Sequence, residues 1–364
     1  MSIRLIFIEI VLLLFIGCGG GGSSQSAVED NVTFENNKTV SYINEPYFYQ
    51  QWYLDYNKTF YDEDGIDTNA SIHLGSEQIY SGKGVTIAII DDGFDITHPE
   101  LQGNIIATYD IATKSNIVTH SSKNQYHGTA VAGIIAAKIN KEGIAGIASN
   151  SKLILLKYRE NMSDSETIEL FLKAKELGAD IINCSWGTYN VSDSVRDIIT
   201  DLAKNGRNGK GIIIVFAVGN DNRDVGNDES SIPEVIAVGA SDKDNLRAWY
   251  SNYGDNIDVL APGGNLDLGI TTLDDTGDNG AGTINKDYLL ANDPNSFVGT
   301  SASAPIVTSV IALMLEKNSN LTRDEIELLL HEKSDKIGNL EYVNGFNRYY
   351  GYGKINADRL LYQY

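Results

Sequence analysis

Short apolar runs alternate with amphipathic stretches along most of the chain. The runs have the length of buried strands and are rich in isoleucine, valine and leucine, whereas the stretches between them follow the apolar spacing of helices. Strands are predicted over residues 85–90, 153–157, 181–184, 212–217 and 235–238, and helices over residues 128–138, 166–177, 191–204 and 306–315. This alternation predicts an α/β fold with a central, mostly parallel sheet and helices on both faces.

Composition and charge narrow the range of functions. The chain has 364 residues, a formal net charge of −21 and 42% hydrophobic residues, which is enough apolar material for a large core. Nucleic-acid binding requires clustered lysine and arginine to neutralise phosphates, so nucleic acid is not an expected partner. Clustered carboxylates are instead suited to hard cations such as Ca²⁺.

The first 17 residues have the pattern of an export signal. A basic residue, Arg4, precedes an apolar stretch that ends at Gly17 and is too short for a convincing membrane-spanning helix. Cys18 follows at the position of the lipidated cysteine in a bacterial lipoprotein box, and a glycine-rich, polar segment comes next. The alternative is a cleaved secretion signal followed by an incidental cysteine.

These features predict three segments and a location. We expect a signal peptide over residues 1–17, a lipidated Cys18 with a flexible tether or short pro-segment over residues 18–45, and one folded domain over residues 46–364. The protein would be exported and anchored by lipid to the bacterial cell envelope, with the outer membrane or cell surface favoured. Cys18 and Cys184 are the only cysteines, so no disulfide is expected.

A candidate nucleophile lies at the start of the predicted C-terminal apolar helix. Ser301 is part of Gly-Thr-Ser-Ala-Ser-Ala-Pro, where unpaired N–H groups and the helix dipole favour negative charge. A serine hydroxyl needs an adjacent base, and that base needs an orienting carboxylate. Asp91 directly follows an apolar strand and is therefore preferred to Asp92 as the carboxylate.

His127 is the expected base. It combines a glycine neighbour with the start of a buried helix, whereas the other histidines lack this context. His98 lies in a Thr-His-Pro-Glu turn, His120 lies in a polar loop and His331 lies on the surface of a C-terminal helix.

The order Asp91, His127, Ser301, with the motif around each residue, resembles the subtilisin-like serine proteases over residues 46–364. The resemblance implies a subtilisin-like three-layer fold and a catalytic triad of these residues. It also implies an oxyanion donor at Asn220, which follows the strand Ile-Ile-Ile-Val-Phe-Ala. The implied function is a serine endopeptidase acting on protein or peptide substrates. The alternative is a catalytically silent surface protein that binds peptides.

Substrate contacts are expected after the strand at residues 181–184. By the same resemblance, Ser185, Trp186 and Gly187 bind the substrate backbone and line its primary pocket. Trp186 is equally consistent with a packed core aromatic, and Cys184 is expected to be a buried small hydrophobe.

Several motifs are most similar to the kexin/furin-like branch, whose members cut after basic residues. These motifs include Gln-Trp-Tyr-Leu at residues 51–54 and Asp-Asp-Gly at residues 91–93. The loop after Asn220 is acidic and would favour arginine or lysine before the cut, although broad or apolar specificity remains open. The acids concerned are Asp221, Asp224, Asp228 and Glu229.

The resemblance also implies a structural calcium site. Side chains of Glu100 and Asn140 and backbone carbonyls of Lys138, Glu142 and Ile144 fall at the ligand positions of relatives. Two other acidic loops, residues 62–67 and 274–278, could hold ions, but solvated surface turns are favoured.

The segment between Cys18 and Pro46 is short for the globular pro-domain of most relatives. Folding could be unaided, assisted by that segment, or assisted by a separate chaperone or activator.

Overall fold

The centre of the structure is a seven-stranded sheet in which every neighbouring pair of strands is parallel. The computed structural model describes residues 39–123 and 125–363. Its strands are β1 (Val40–Ser41), β2 (Glu77–Gln78), β3 (Thr86–Asp91), β4 (Ile105–Asp110), β5 (Lys152–Lys157), β6 (Ile181–Cys184), β7 (Ile213–Ala217), β8 (Ile236–Ser241), β9 (Val259–Pro262), β10 (Thr272–Leu273) and β11 (Tyr288–Leu289). The large sheet has the order β4-β5-β3-β6-β7-β8-β9, and the antiparallel pairs β1-β2 and β10-β11 lie outside it.

Seven α-helices accompany the strands in the described part of the chain. They are α1 (Lys58–Asp64), α2 (His127–Ala136), α3 (Asp164–Glu176), α4 (Asp193–Gly209), α5 (Thr300–Lys317), α6 (Arg323–Lys333) and α7 (Ala357–Tyr362). The regular part of α4 ends before Gly206, where the backbone leaves helical geometry. Short 3₁₀ turns cover Tyr42–Asn44, Phe48–Gln50 and Glu229–Ser231.

Alternate residues of the sheet face two different helical layers. On β3, Ile87 and Ile89 belong to the core that contains α2 and α5, whereas Ala88 and Ile90 belong to the core that contains α3 and α4. This follows from the two-residue period of a strand. All four side chains are fully buried, as expected for a parallel sheet covered on both faces. The predicted three-layer α/β fold is confirmed.

The N-terminal boundary of the folded unit lies earlier than predicted. Residues 40–45, assigned from the sequence to the tether or pro-segment, pack against the domain. Val40–Ser41 pairs with β2, the Tyr42 hydroxyl donates to the carbonyl of Ile147 (3.0 Å), and Glu45 is 2% exposed. The predicted signal peptide, Cys18 and the tether up to residue 38 lie outside the described residues. Within residues 39–123 and 125–363, no helix has both the length and the apolarity to span a bilayer.

Candidate active site

The carboxyl ends of three adjacent sheet strands bring the predicted site residues together. Asp91 ends β3, Ser185 follows β6, and Asn220 lies three residues after β7. Loops beyond this edge of a parallel sheet are the usual place for ligand sites. His127 and Ser301 reach the same edge as the first and second residues of α2 and α5.

Asp91 and His127 form a hydrogen-bonded acid–imidazole pair. Asp91 Oδ1 lies 2.8 Å from His127 Nδ1, and the Asp91 side chain is fully buried. Its second oxygen, Oδ2, is buried without a hydrogen-bond partner among the described residues. Burial opposes a charge on His127, but the attraction and hydrogen bond of Asp91 outweigh it and raise the pKa of the imidazole. With Nδ1 directed at the carboxylate, Nε2 is the nitrogen left to act as a base.

Ser301 and Ser185 are joined by two reciprocal hydrogen bonds. The Ser301 hydroxyl donates to the carbonyl of Ser185 (2.9 Å), and the Ser185 hydroxyl donates to the carbonyl of Ser301 (3.0 Å). In a regular helix the Ser301 carbonyl would accept the N–H of residue 305, but that residue is proline and has no N–H. The Ser185 hydroxyl is the donor in its place. The hydrogen-bond partner of the Ser301 hydroxyl in this structure is therefore Ser185 and not His127. The His127 ring packs edge-on against Phe297 (ring centroids 5.3 Å apart).

Asn220 is oriented by the residue before Ser301. Its Oδ1 accepts the backbone N–H of Thr300 (2.9 Å) and the Thr300 hydroxyl (3.0 Å). Because a backbone N–H can only donate, these bonds identify the oxygen and assign the amide nitrogen to the opposite side. That NH₂ group has no protein partner in the described part of the chain. A Cβ on Gly299 would lie only 3.1 Å from it, so the glycine leaves space at this donor.

The predicted substrate-binding residues have different environments. Ser185 is buried against Ser301, as described. The Trp186 indole donates to the carbonyl of Ile90 (2.9 Å) and its ring packs against Tyr158 and Phe216. Trp186 therefore packs against the core on one side, but its side chain is only half-buried, and its part in a pocket wall stays a prediction. Burial raises the pKa of the Cys184 thiol, and this cysteine is the buried small side chain that was expected.

Two acids of the loop after Asn220 lie directly behind the predicted substrate segment. Asp228 accepts the backbone N–H of Tyr189 (2.8 Å), and Glu229 accepts the N–H and the hydroxyl of Thr188 (2.9 and 2.6 Å). Both carboxyls are almost fully buried, and burial raises the pKa of each. A Cβ on Gly187 would lie 2.7 Å from the Asp228 oxygens, so only glycine fits without displacement.

The other two acids of that loop are exposed and paired with arginines. Asp221 lies 3.3 Å from Arg223, and Asp224 lies 2.7 Å from Arg348. Exposed pairs of this kind contribute little to stability. Of these four acids, Asp228 and Glu229 are therefore the two that are buried against the predicted substrate segment.

Sequence reasoning missed a second histidine–carboxylate cluster beside the first. His120, expected in a polar loop, has a side chain that is 4% exposed and lies between Asp92 (3.2 Å) and Asp275 (2.6 Å). Asp92 also accepts the N–H of Gly128, at the start of α2 (3.1 Å). No local pattern could have identified this cluster, because His120 and Asp275 are separated by 155 residues. Asp274 and Asp275 are 0% and 6% exposed, so the favoured prediction of a solvated turn over residues 274–278 is wrong at these two positions.

Among the predicted calcium residues, Glu100 is fully buried. Glu100 Oε1 accepts the Tyr288 hydroxyl (2.7 Å), but its buried Oε2 has no hydrogen-bond partner among the described residues. Lys138 donates its N–H to the Glu100 carbonyl (3.0 Å). Asn140 instead accepts the N–H of Glu142 (2.8 Å) within its own loop.

The sequence reasoning also missed Glu45 as a member of this group. Its carboxylate accepts the backbone N–H groups of Lys141 and Glu142. The only available signal was an acid immediately before Pro46. The described N-terminal residues thus bring another carboxylate to the predicted calcium region.

These residues fit a bound cation. Burial first, and then repulsion from Glu45 and Glu142, raise the pKa of Glu100 to about 8. Gly143 has φ of +64°, and a Cβ there would lie 2.1 Å from Glu100 Oε1, so this position must remain glycine. Oxygen ligands and an unpaired buried carboxylate oxygen are suited to Ca²⁺, and a cation would offset the cost of burying that oxygen.

Another cluster of acids and histidine has internal partners instead. His331 lies 2.7 Å from Asp258 and stacks on Tyr352 (3.7 Å), so it is packed rather than freely exposed on its helix. Glu327, the third member, is held by two hydrogen bonds from Arg323. An arginine bound at the cluster makes it a poor cation site.

Comparisons with known proteins agree with this architecture. The subtilase family, Peptidase S8, matches residues 82–353. A calcium-dependent protease of Nostoc sp. is 34% identical over 338 residues, which cover 85% of this chain and 50% of that protein. Kexin of Saccharomyces cerevisiae is 30% identical over 347 residues, covering 88% of this chain and 39% of kexin. The chain thus spans half or less of the length of these relatives.

Solved structures show the same fold. The serine protease of Aeromonas sobria superposes with a TM-score of 0.77 at 21% identity, covering 87% of this chain and 67% of the other. A second crystal structure contains that protease in complex with its chaperone (TM-score 0.76, 20% identity, 87% of this chain and 66% of the other). The fold, the site at the strand ends and the match to the family are in agreement. This chain belongs to the subtilase family of serine proteases.

Proposed function

We propose that the chain is a serine endopeptidase in which Ser301 is the nucleophile, His127 the general base and Asp91 the orienting carboxylate. The observation that carries the proposal is the hydrogen bond between His127 and the fully buried Asp91, at the same sheet edge as Ser301 and Asn220. A serine at a helix N-terminus, with a histidine–aspartate pair beside it, has the parts that acyl transfer needs.

The reaction requires one rearrangement from the state observed. The Ser301 hydroxyl leaves the carbonyl of Ser185 and turns to His127 Nε2, a contact that often forms only with substrate present. His127 accepts the hydroxyl proton as the serine oxygen attacks the peptide carbonyl, and then delivers it to the leaving amine. Asp91 stabilises the imidazolium formed between these steps. Water then hydrolyses the acyl-enzyme by the same proton route in reverse.

Asn220 would stabilise the oxyanion of the tetrahedral intermediate. Thr300 fixes the amide with its NH₂ group unpaired by protein, and the backbone N–H of Ser301 is at the helix N-terminus, where such groups lack helical partners. Donors that are oriented before the reaction need no reorganisation as negative charge develops.

A comparison of wild type with Ser301→Ala tests this function. Both full-length proteins, in calcium buffer and detergent, are incubated with a peptide mixture that contains every residue type, and the cut sites are identified by mass spectrometry. Cuts made by wild type alone support the proposal. Equal cutting by both proteins refutes Ser301 as the nucleophile, and no cutting by either supports the silent peptide-binding alternative.

For substrate choice, we propose a preference for arginine or lysine before the cut. Support comes from Asp228 and Glu229, two buried carboxylates behind Gly187–Tyr189, and from the similarity to kexin. A buried acid forms stronger bonds to a cationic side chain than to a neutral one. A peptide series that varies only this residue tests the idea, with Asp228→Asn as the variant expected to lose the preference. Faster cleavage after apolar residues by wild type refutes it.

We also propose a structural calcium ion held by Glu100, Asn140 and Glu45, with carbonyls of Lys138, Glu142 and Ile144. The unpaired Glu100 Oε2 and the name of the Nostoc relative support this proposal. Bound calcium would brace the loop over residues 138–144 against the N-terminal segment. Isothermal titration of metal-free protein with CaCl₂ is expected to show binding that Glu100→Gln weakens, and an identical isotherm for the two proteins would refute the ligand assignment.

For location, we propose that the protein is exported and anchored in the cell envelope through a lipid on Cys18. The outer membrane or the cell surface is the favoured position. The support is the sequence pattern alone. Metabolic labelling with an alkyne fatty acid is expected to label wild type but not Cys18→Ser, and equal labelling of both would refute it. A separate chaperone or activator is a further candidate partner, as in the Aeromonas sobria complex.

A further inference from the structure

His120 is held between two carboxylates next to the start of α2. Its Nδ1 lies 2.6 Å from Asp275 Oδ2, and its Nε2 lies 3.2 Å from Asp92 Oδ1. Ionised carboxylate oxygens only accept hydrogen bonds, so both ring nitrogens must donate. The contacts therefore define His120 as an imidazolium with a proton on each nitrogen.

The same two carboxylates hold the residues that follow His127. Asp92 Oδ1 accepts the N–H of Gly128 (3.1 Å), and Asp275 Oδ1 accepts the hydroxyl of Thr129 (2.6 Å). Asp92 is also bonded to the proposed catalytic acid, because its N–H donates to Asp91 Oδ1 (2.8 Å). His120 thus joins the turn after β3 to the first turn of α2.

Gly93 permits this close packing. A Cβ on Gly93, which has φ of +153°, would lie 2.6 Å from His120 Cδ2. On its other side His120 borders a cavity of about 320 Å³. The ring therefore packs closely against the turn after β3 and also lines this cavity.

We propose that protonated His120 is a positioning residue for the Asp91–His127 pair, which it orders by binding Asp92 and Asp275 at once. The inference rests on the proposed protease function, since it concerns the same acid and base. When His120 loses its proton, two carboxylates face a ring that can donate to only one of them. The start of α2 then loses one of its two supports, and His127 loses its fixed orientation.

The charged groups around His120 determine the direction of its titration. Burial lowers the pKa of His120, but hydrogen bonds to Asp275 and Asp92 outweigh burial and raise it to about 9. Other charged or titratable groups nearby, among the described residues, include Asp91 and His127 beyond Asp92, Tyr126 and Tyr158 next to Asp92, Lys157 at the end of β5, and Asp95 and Lys123 at the cavity. Because the pKa rises from 6.5 on folding, the stabilisation is complete below pH 6.5 and is lost as the pH passes about 9.

His120 also acts on His127 through its charge. The cation lowers the pKa of His127, opposing Asp91. Removal of the cation therefore raises the pKa of the base and moves the acid limb of the activity profile to higher pH. A residue with a merely structural role would not produce this shift.

The test measures kcat and KM from pH 5 to 10.5 for wild type, His120→Gln and His120→Arg on a peptide that wild type cuts. Wild-type activity should fall above pH 9. Since misplacement of a catalytic group by 1 Å costs about 100-fold in rate, His120→Gln should lower kcat by about 10- to 100-fold at pH 8, with KM little changed. Its acid limb should lie at higher pH. His120→Arg keeps a cation at every pH, so it should retain more activity and lose the fall above pH 9.

Two further measurements keep the proposal testable if a His120 variant does not fold. Asp275→Asn keeps the side-chain shape but removes one charge, so the alkaline fall should move to lower pH. Proton NMR of Ser301→Ala follows the imidazole signals during a pH titration, and the signal missing in Ser301→Ala/His120→Gln belongs to His120. Titration of that signal near pH 9 supports the ion pair, and titration near pH 6.5 refutes it.

The outcomes separate this inference from the proposed function. An active wild type whose acid and alkaline limbs are unchanged in all three His120 and Asp275 variants refutes the positioning role only. A wild type without Ser301-dependent cleavage at any pH refutes the protease function and the positioning role together.

Discussion

The oxyanion role of Asn220 gives a prediction in which catalysis and stability can be separated. Asn220→Ala removes the unpaired NH₂ group and also the oxygen that accepts two hydrogen bonds from Thr300. Loss of one oxyanion donor costs about 2.7–4 kcal/mol, or about 10²–10³ in kcat. Loss of the two bonds to Thr300 should lower the free energy of unfolding by about 1–2 kcal/mol, because each such bond contributes about 1 kcal/mol net.

Asn220→Asp is the matched control. Its carboxylate keeps an oxygen for Thr300 but replaces the donor with a second acceptor, which repels an oxyanion. We therefore expect Asn220→Asp to lose at least as much kcat as Asn220→Ala while losing less stability.

Both variants are measured by steady-state peptide cleavage and by urea denaturation followed by tryptophan fluorescence. If Asn220→Ala keeps the wild-type kcat, or loses activity only in proportion to its loss of folded protein, the oxyanion assignment is wrong. If Asn220→Asp is more active than Asn220→Ala, the NH₂ group is not the acting donor.

Three other predictions follow from the site. The pKa of His127 is raised from 6.5 and the neutral imidazole is the base, so kcat/KM should rise with pH through a midpoint above 6.5; a midpoint below 6.5 contradicts this. Calcium at 100 times its Kd should raise the free energy of unfolding by about 2.7 kcal/mol. Urea denaturation with and without chelator measures this gain, and an equal gain in Glu100→Gln would exclude Glu100 as a ligand. Gly187→Ala places a Cβ 2.7 Å from the Asp228 carboxylate and should lower kcat/KM. Removal of that carboxylate in Gly187→Ala/Asp228→Ala should restore part of the activity. Strictly additive losses in this double-mutant cycle would show that the two residues do not interact.

The sequence pattern predicted the buried centre of the sheet and missed its edges. β3, β5, β6, β7 and β8 coincide with predicted strands because strands buried on both faces are continuous apolar runs. The two edge strands were not predicted. β4 is partly exposed along most of its length. β9 is buried, but its apolar residues before Pro262 are too few to form a recognisable apolar run in the sequence.

At the site, local motifs were predictable and long-range pairs were not. Asp91, His127, Asn220 and Ser301 each lie at the junction of an apolar element with a short polar motif, which a sequence displays directly. His120 and Asp275 lie in polar loops and acquire their roles only when folding buries them against each other. The orientation of Trp186 was also undetermined, because its packing against Phe216 depends on the register between neighbouring strands.

The most direct test of the central claim is covalent labelling with a fluorophosphonate. The reagent bonds to an activated serine oxygen with loss of fluoride, and peptide mapping by mass spectrometry identifies the modified residue. We expect wild type to be labelled at Ser301, His127→Ala to be labelled far more slowly, and Ser301→Ala not to be labelled. Labelling at another serine, or no labelling of folded wild type, would contradict it.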